Sequence, residues 1–158
     1  MRFATGAEPN GAAAKRDTGQ DEQSISQAVQ SMFDGIAPRY DLLNHVLSAN
    51  VDSIWWRRTA RTFASILANP ESDVLDLCCG TGDMTLALLR HRPLNARPVV
   101  ALDFSHAMLE RAKEKFSSSE FSPHSVVTME ADALHMPLPD NSIDLITAAF
   151  GFRNLANY

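Results

Sequence analysis

The sequence predicts an α/β fold with a parallel sheet, and two observations carry that prediction. Four apolar runs alternate with stretches of helical periodicity, and such runs are typical of parallel strands covered by helices on both faces. These predicted strands are residues 74–78, 99–104, 126–131 and 143–150. The first run also leads into Gly80-Thr81-Gly82, which we call the glycine turn. A strand, a glycine turn and a helix in succession present backbone to a nucleotide-like ligand.

The composition is that of a soluble globular domain and excludes several other classes of protein. A chain of 158 residues with 45% hydrophobic and 21% charged residues is expected to form one domain. The net charge of −5 argues against nucleic-acid binding by broad phosphate neutralisation. No apolar run reaches the roughly 18–20 residues of a membrane span. Cys78 and Cys79 are neighbours, which suits neither a disulfide nor a metal site. We therefore expect a cytoplasmic protein with reduced cysteines and no metal.

The first 70 residues contain no strand pattern. Residues 1–22 are rich in Ala, Gly, Asn, Asp and Gln without periodicity, so we expect a disordered tail. Residues 23–70 form a predicted helical segment. Its first helix has apolar residues at three- and four-residue steps over residues 24–36, and a second helix fits residues 40–48 after Pro38.

A third helix completes this segment. Asp52 or Ser53 can cap it, and Asn69-Pro70 ends it. The apolar stripe that should face the core is Trp56, Ala60, Phe63 and Leu67.

Residues 71–158 form the predicted α/β domain. Between its strands we expect helices at residues 84–90 and 105–116, and a turn or short helix within the proline-containing link at residues 134–142. The sequence ends at Tyr158, just after the fourth strand. Because that strand would be left with an unpaired edge, we expect this to be the N-terminal part of a larger, here incomplete, domain.

The carboxyl ends of the predicted strands carry acidic or polar residues, at the place where ligands of open α/β sheets bind. These residues are Asp76, Asp103 and Asp132 after the first three strands, and Arg153 with Asn154 after the fourth. An acid after the second strand can accept from both hydroxyls of an adenosine ribose, and Asp132 can accept from an adenine amine. One such acid can equally cap the next helix, but three in succession favour a nucleotide-like site.

The glycine turn distinguishes two kinds of cofactor. The dinucleotide fingerprint is only half met, because Thr85 stands where a third small residue would let helix and strand pack. The pattern Asp-x-x-x-Gly-x-Gly, from Asp76 to Gly82, resembles motif I of S-adenosylmethionine-dependent methyltransferases instead.

Further segments extend this resemblance over about residues 29–155. In chain order they are residues 32–44, Trp56-Arg57, residues 76–83, residues 131–133 with Met136-Pro137, and Phe150-Gly151-Phe152-Arg153-Asn154. Together they resemble the ubiquinone/menaquinone biosynthesis C-methyltransferases, class I S-adenosylmethionine enzymes that methylate the ring of a polyprenyl quinol. Motif I is shared by many methyltransferases, whereas the first and last segments are far more specific.

The resemblance implies a class I methyltransferase fold and S-adenosylmethionine as cofactor. The glycine turn would hold the methionine part of the cofactor, and Asp103 would hold its ribose. Asp132 and the Ala133 amide would hold its adenine, and Asp76 belongs to the same cofactor motif. In several relatives a serine that touches the cofactor precedes the signature phenylalanine. Ala149 stands there in this chain, so that contact is not carried over.

The resemblance implies methylation of a polyprenyl quinol, and we take the step from demethylmenaquinol to menaquinol as the first hypothesis. The corresponding benzoquinol step of the ubiquinone pathway stays open. A neutral quinol carbon is a weak nucleophile, so a ring hydroxyl must lose its proton as the carbon attacks. Arg153 and Asn154 are the candidate catalytic residues. They would orient the quinol oxygen, or a water acting as base, and Arg153 would stabilise the developing oxyanion.

Two sets of side chains are candidates for contacts with the quinol and the membrane. The aromatic set, which would line the quinol pocket, is Phe33, Tyr40, Trp56 and Phe150. The basic set, which would touch anionic lipid at the inner membrane face, is Arg57, Arg58 and Arg61. For each aromatic alone core packing is the more common role, and a solvated helix face is the more common role of such arginines.

Two other functions stay open, and the oligomeric state is not indicated. One is an NAD-dependent oxidoreductase, although Thr85 and the lack of a catalytic Tyr-x-x-x-Lys pair count against it. The other is a module that binds a cofactor or partner without turnover, for which the end at Tyr158 is the only support.

Overall fold

Two helices lead into a four-stranded sheet in the computed structural model, which describes residues 51–149 together with Ser31, Met32 and Gly35. Within residues 51–149, the helices before the sheet are α1 (Val51–Thr62) and α2 (Ala64–Leu67). The remaining elements, in chain order, are β1 (Val74–Leu77), α3 (Asp83–Leu89), β2 (Val99–Asp103), α4 (His106–Ser117), a 3₁₀ turn (Pro123–Ser125), β3 (Val126–Glu130) and β4 (Leu145–Ala148).

All pairings in this sheet are parallel, and the strand order is β3-β2-β1-β4. The chain steps from β1 outward to β3 and then returns to the other side of β1, so strand order reverses beside β1. Open α/β sheets bind ligands at the carboxyl ends of the strands next to such a reversal. The glycine turn, which follows β1, lies at this position.

One cluster of the hydrophobic core forms where α1, α2 and α3 pack against the sheet. Ala60 and Leu67 are fully buried, and Trp56 and Phe63 pack partly buried against the same cluster. The predicted apolar stripe is therefore confirmed. Asp52 and Ser53 do not act as the predicted cap, because both lie within α1. The predicted third helix is interrupted at Phe63, which separates α1 from α2.

The predicted strands and helices of the α/β domain are present, with ends that differ by one or two residues. Ser105 lies just outside α4 as its cap, and its hydroxyl accepts from the Met108 N–H at 3.2 Å. The link before β4 holds turns and no helix within residues 131–144. β4 alternates buried and exposed residues, and Ile146 is half exposed, whereas the sequence suggested cover on both faces.

Several predictions lie outside the described residues. They are the tail at residues 1–22, the second helix at residues 40–48, most of the first helix, and the side chains of Phe33, Tyr40, Phe150, Arg153 and Asn154. Within the described part of the chain, no helix has the length and apolar character needed to cross a membrane.

Candidate functional site

The segment after β1 adopts an unusual backbone. Cys78, Gly80 and Gly82 all have positive φ angles, of 55°, 56° and 87°. The turn is closed by the Gly82 N–H, which donates to the Cys79 carbonyl at 2.9 Å. Left-handed backbone costs a residue with a Cβ about 1–2 kcal/mol, so glycine is favoured at positions 80 and 82. Cys78 carries that cost itself, which the sequence pattern did not reveal.

The three predicted acids lie around this turn. Burial raises the pKa of the Cys78 thiol to about 11, with further contributions from the carboxylates of Asp103, Asp76 and Asp132 in that order. All three carboxylates thus contribute to raising the pKa of one thiol. The structure therefore brings them together at the carboxyl edge of the sheet. The raised pKa also means that Cys78 is a neutral thiol near pH 7 and a poor nucleophile.

Asp103 joins the end of β2 to the glycine turn. Its Oδ2 accepts from the Gly80 N–H at 2.8 Å, and its Oδ1 accepts from the Ser105 N–H at 2.9 Å. The Asp103 carbonyl accepts from the Ala131 N–H at 3.1 Å, which carries the connection to the segment after β3. Because a carboxylate oxygen can accept two hydrogen bonds, these contacts are compatible with bonds from a ribose diol.

Asp132 is held by a tight turn after β3. Its Oδ1 accepts from the Leu134 N–H at 2.9 Å, and its Oδ2 lies 3.1 Å from Nδ1 of His135. Partial burial opposes ionisation, but the Leu134 N–H and the His135 ring outweigh it and lower the pKa of Asp132 below its usual value. Asp132 is therefore a fixed anion, with Ala133 half-buried beside it.

Asp76 is fully buried and faces into the protein. Its Oδ2 accepts from the Thr85 hydroxyl at 2.6 Å, and its Oδ1 accepts from the Thr147 hydroxyl at 2.9 Å. Burial raises its pKa to about 6, against the effect of the two hydroxyls. The acid of motif I thus joins β1 to α3 and β4, and its contact with a cofactor stays a prediction. Thr85, which broke the dinucleotide fingerprint, is one of its two partners.

The far side of the glycine turn rests on the last turn of α4. Lys115 Nζ donates to Thr81 Oγ1 at 3.0 Å and to Asp83 Oδ1 at 2.8 Å. A Cβ on Gly82 would lie 2.5 Å from two atoms of the Phe116 ring, so packing as well as φ requires glycine there. Sequence reasoning missed Lys115 and Phe116 because their partners lie more than 30 residues away.

The remaining described candidates lie on α1. Trp56 packs against the core cluster that includes Ala60, so its predicted place in a quinol pocket stays a prediction. The basic set Arg57, Arg58 and Arg61 is exposed. Ile54 and Trp55 of the same helix are 53% and 52% exposed, so the face is cationic and partly apolar.

This edge of the sheet suits an adenosine-containing cofactor. The turn brings backbone to the surface of the strand end, Asp103 is directly bonded to it, and Asp132 is a second anionic acceptor after the next strand. A ribose diol and an adenine amine are donors that such carboxylates accept. The donor and acceptor set therefore fits the group implied by motif I.

Comparison with known proteins places this site in a family context. Residues 20–158 match the model of the ubiE/COQ5 methyltransferase family. The chain is 46% identical over 138 residues to a demethylmenaquinone methyltransferase of Deinococcus radiodurans, covering 87% of this chain and 54% of the relative. It is 46% identical over 127 residues to a demethylmenaquinone methyltransferase of Thermus thermophilus, covering 80% and 54%. The chain thus spans about half the length of the curated relatives it matches.

Solved structures share the architecture. Phosphoethanolamine N-methyltransferase 1 of Haemonchus contortus, in complex with phosphoethanolamine and S-adenosylhomocysteine, has a TM-score of 0.59 at 20% identity, covering 80% of this chain and 26% of that one. A putative S-adenosyl-L-methionine-dependent methyltransferase of Methanococcus maripaludis has a TM-score of 0.54 at 20% identity, covering 78% and 49%. Likeness at these identities concerns the fold alone, and it confirms the predicted class I methyltransferase fold.

Proposed function

The chain belongs to the ubiE/COQ5 methyltransferase family, and we propose that it is an S-adenosylmethionine-dependent C-methyltransferase acting on the ring of a polyprenyl quinol. The proposed reaction is the conversion of demethylmenaquinol to menaquinol. The family match and relatives of that name at 46% identity support this assignment. Because the chain spans about half of those relatives, activity and substrate are both proposals.

The observation that carries the cofactor assignment is the bond between Asp103 and the glycine turn. The Gly80 N–H donates to Asp103 Oδ2 at 2.8 Å. This bond holds the carboxylate that would accept the ribose hydroxyls next to the glycine turn, whose backbone would contact the methionine part of the cofactor. Asp132 and the amide of Ala133 would then receive the adenine. When bound, the cofactor supplies an electrophilic methyl group. The protein's part is to hold donor and acceptor in near-attack geometry, which can supply much of the rate.

The chemistry of the acceptor concerns proton loss from the quinol. Arg153 and Asn154 are proposed to orient the quinol oxygen or a water acting as base, with Arg153 stabilising negative charge on that oxygen. They follow β4 by a few residues, and β4 pairs with β1, the strand that leads into the glycine turn. The pairing of β4 with β1 supports the proposal.

A methyl-transfer assay with matched acceptors tests the proposal. The protein is incubated with S-adenosylmethionine carrying a labelled methyl group and with a short-chain demethylmenaquinol or the corresponding ubiquinone-pathway benzoquinol. We expect label in the naphthoquinol, detected by mass spectrometry as one added methyl. Methylation of the benzoquinol alone would overturn the menaquinone assignment and keep the reaction type. Methylation of neither acceptor would overturn the proposed activity.

Binding measurements separate this proposal from the oxidoreductase alternative. We expect S-adenosylmethionine and S-adenosylhomocysteine to bind in isothermal titration, and NAD to show no binding at the same concentrations. Binding of NAD in preference to S-adenosylhomocysteine would contradict the cofactor assignment. Binding of S-adenosylhomocysteine without methyl transfer to any quinol would support a module without turnover.

We further propose that the exposed face of α1 makes transient contact with anionic lipid, since a polyprenyl quinol dissolves in the bilayer. The three exposed arginines carry positive charge in a chain whose net charge is −5. Trp55 and Ile54 supply apolar side chains beside them. We expect co-sedimentation with vesicles containing phosphatidylglycerol and none with phosphatidylcholine alone. Arg58→Glu/Arg61→Glu should abolish it, and Arg90→Glu, at the exposed position just after α3, should not. Equal binding to both vesicle types would contradict the contact.

A further inference from the structure

Lys115 connects α4 to the glycine turn across more than 30 residues of sequence. Its ammonium donates to the Thr81 hydroxyl at 3.0 Å and to the Asp83 carboxylate at 2.8 Å. Thr81 and Asp83 are the residues immediately before and after Gly82. A single cation therefore binds both neighbours of the residue whose φ of 87° lies furthest into the left-handed region within this turn.

This contact is partly shielded from solvent, and more so than its counterpart on the same helix. The side chains of Lys115 and Asp83 are 23% and 31% exposed, whereas those of the nearby pair Lys113 and Glu110 are 49% and 53% exposed. A charge-assisted hydrogen bond is stronger where water is excluded, and exposed ion pairs contribute little. Lys115 is thus expected to restrain its partners, and Lys113 is a matched control with similar geometry.

The neighbouring residue adds a second restraint. The Phe116 ring lies against Gly82 so closely that a Cβ there would meet it at 2.5 Å. Lys115 binds the residues on either side of Gly82, and Phe116 packs against Gly82 itself. At the first residue of the turn, the Gly80 N–H donates to the Asp103 carboxylate. The turn is held between the last turn of α4 and the end of β2.

We propose that Lys115 is a positioning residue for cofactor binding, which it favours by fixing the glycine turn before the ligand arrives. This inference rests on the proposed function, in which the turn meets the cofactor. Glycine-containing turns lose more conformational freedom on ordering than other segments. A turn already ordered in the free protein avoids that loss on binding, so affinity is higher. Lys115 acts through Thr81 and Asp83 and does not itself touch the reacting atoms.

The test compares Lys115→Met, Lys115→Arg and the control Lys113→Met. The affinity for S-adenosylhomocysteine is measured by isothermal titration, thermal stability by calorimetry, and amide hydrogen exchange of residues 80–83 without ligand. We expect Lys115→Met to weaken binding by about tenfold, in the range of one hydrogen bond to a charged group. It should also accelerate exchange in the turn. Lys115→Arg should regain most of the affinity, and Lys113→Met should match the wild-type protein.

The outcomes separate this inference from the proposed function. If the wild-type protein binds S-adenosylhomocysteine and Lys115→Met binds equally well, the inference is overturned and the proposed function stands. An affinity loss that Lys115→Arg does not reduce, without faster exchange in the turn, indicates a general structural role and also overturns it. If the wild-type protein does not bind, both fail. Should Lys115→Met not fold, Asp83→Ala decides, because it removes the carboxylate that Lys115 binds, and unchanged affinity in that variant overturns the inference.

Discussion

The charged side chains at the amino ends of the strands have different kinds of partner from those at the carboxyl ends. At the amino edge, where the strands begin, a guanidinium is surrounded by backbone carbonyls. Arg92 donates to the carbonyls of Leu67, Asn69, Ser72 and Arg97 at 3.4, 3.1, 2.9 and 2.9 Å. These carbonyls belong to the end of α2 and to the segments that enter β1 and β2, so one side chain connects three parts of the fold.

Other groups at the amino edge are also paired within the protein. Arg97 bridges Glu71 and Asp73 at 3.1 and 2.7 Å, and the Asp144 carboxylate accepts from the Asp73 N–H at 2.8 Å. The two ion pairs are about half exposed, so we assign them little stability. Even so, the charged side chains of the amino edge bind one another and the backbone of the segments that lead into the strands.

At the carboxyl edge the three predicted acids are bound chiefly by backbone N–H groups and hydroxyls, and a cation there, Lys115, binds the glycine turn. Asp103 accepts from Gly80 and Ser105, and Asp132 accepts from Leu134. At the same edge, the backbone after β1 includes three positive φ angles, at Cys78, Gly80 and Gly82. The comparison teaches that bonds at the amino edge connect parts of the fold, whereas those at the carboxyl edge, under the proposed function, shape backbone for the cofactor. Variants at the two edges should therefore separate stability from cofactor affinity.

The largest expected effect falls at the one carboxyl-edge position where this separation should fail. Gly82→Val places a β-branched side chain at φ 87° and against the Phe116 ring. We expect a loss of about 2–5 kcal/mol in the free energy of unfolding, from left-handed strain plus overpacking, together with loss of S-adenosylhomocysteine binding. Urea denaturation and isothermal titration measure the two. Gly82→Ala with Phe116→Leu should recover the packing part only. A stable Gly82→Val protein would show that the turn tolerates a side chain.

Arg92→Ala should lower the stability of the protein without lowering its affinity for the cofactor, because it removes contacts at the amino edge alone. Removal of the guanidinium leaves backbone carbonyls of four residues without that donor, so we expect a loss of about 2–4 kcal/mol in unfolding free energy. The affinity of the folded protein for S-adenosylhomocysteine should stay within about twofold of wild type. Arg90→Ala, at an exposed position nearby, should change stability by less than about 0.5 kcal/mol. A large loss of affinity in folded Arg92→Ala would contradict the separation of the two edges.

The sequence predicted the fold well because hydrophobic periodicity is a local signal. The four apolar runs became four parallel strands, and the stripe from Trp56 to Leu67 packs on the core. Helix ends were less predictable. Asp52 and Ser53 have the chemistry of a cap but lie inside α1, since side-chain type alone does not fix where a helix begins.

The acids of the site were also predictable, because parallel strands bring their carboxyl ends to one edge. Their partners were not. The pairing of Asp76 with Thr147 spans 71 residues, and that of Lys115 with Thr81 spans 34. Such contacts depend on how α4 and β4 dock, which no local pattern encodes. Arg92 was missed for the same reason, since its partners are backbone carbonyls that carry no side-chain signature.

Asp103→Ala, at the carboxyl edge, should weaken cofactor binding and should lower stability less than Arg92→Ala does. The carboxylate is proposed to accept both ribose hydroxyls, so we expect S-adenosylhomocysteine to bind about 1.5–3 kcal/mol more weakly, the usual value for hydrogen bonds to a charged group. Asp103→Asn retains an acceptor for the Gly80 N–H and should lose less. Titration calorimetry on folded variants measures the difference. Unchanged affinity in Asp103→Ala would refute the ribose assignment.

The smallest expected effect concerns Asp76, whose burial raises its pKa from 3.8 to about 6. Between about pH 4 and pH 6 the folded protein retains a proton that the unfolded chain releases, so stability falls as the pH rises through this window. Above about pH 6 the loss is complete. Asp76→Asn has no charge to bury, and its amide can still bond both threonine hydroxyls after one of them reorients.

We therefore expect Asp76→Asn to raise the unfolding free energy at pH 7 by about 1–2 kcal/mol, which is less than the shift alone implies because the hydroxyl must reorient. Its stability should change less between pH 4 and pH 7 than that of the wild-type protein. Urea denaturation at several pH values measures both quantities, and Asp144→Asn at the exposed amino edge controls for loss of one carboxylate. If Asp76→Asn is destabilised at pH 7, and the wild-type protein, unlike the variant, gains stability as the pH rises from 4 to 7, the ionised form of Asp76 stabilises the fold. The motif I acid would then be part of the carboxyl edge's structural support.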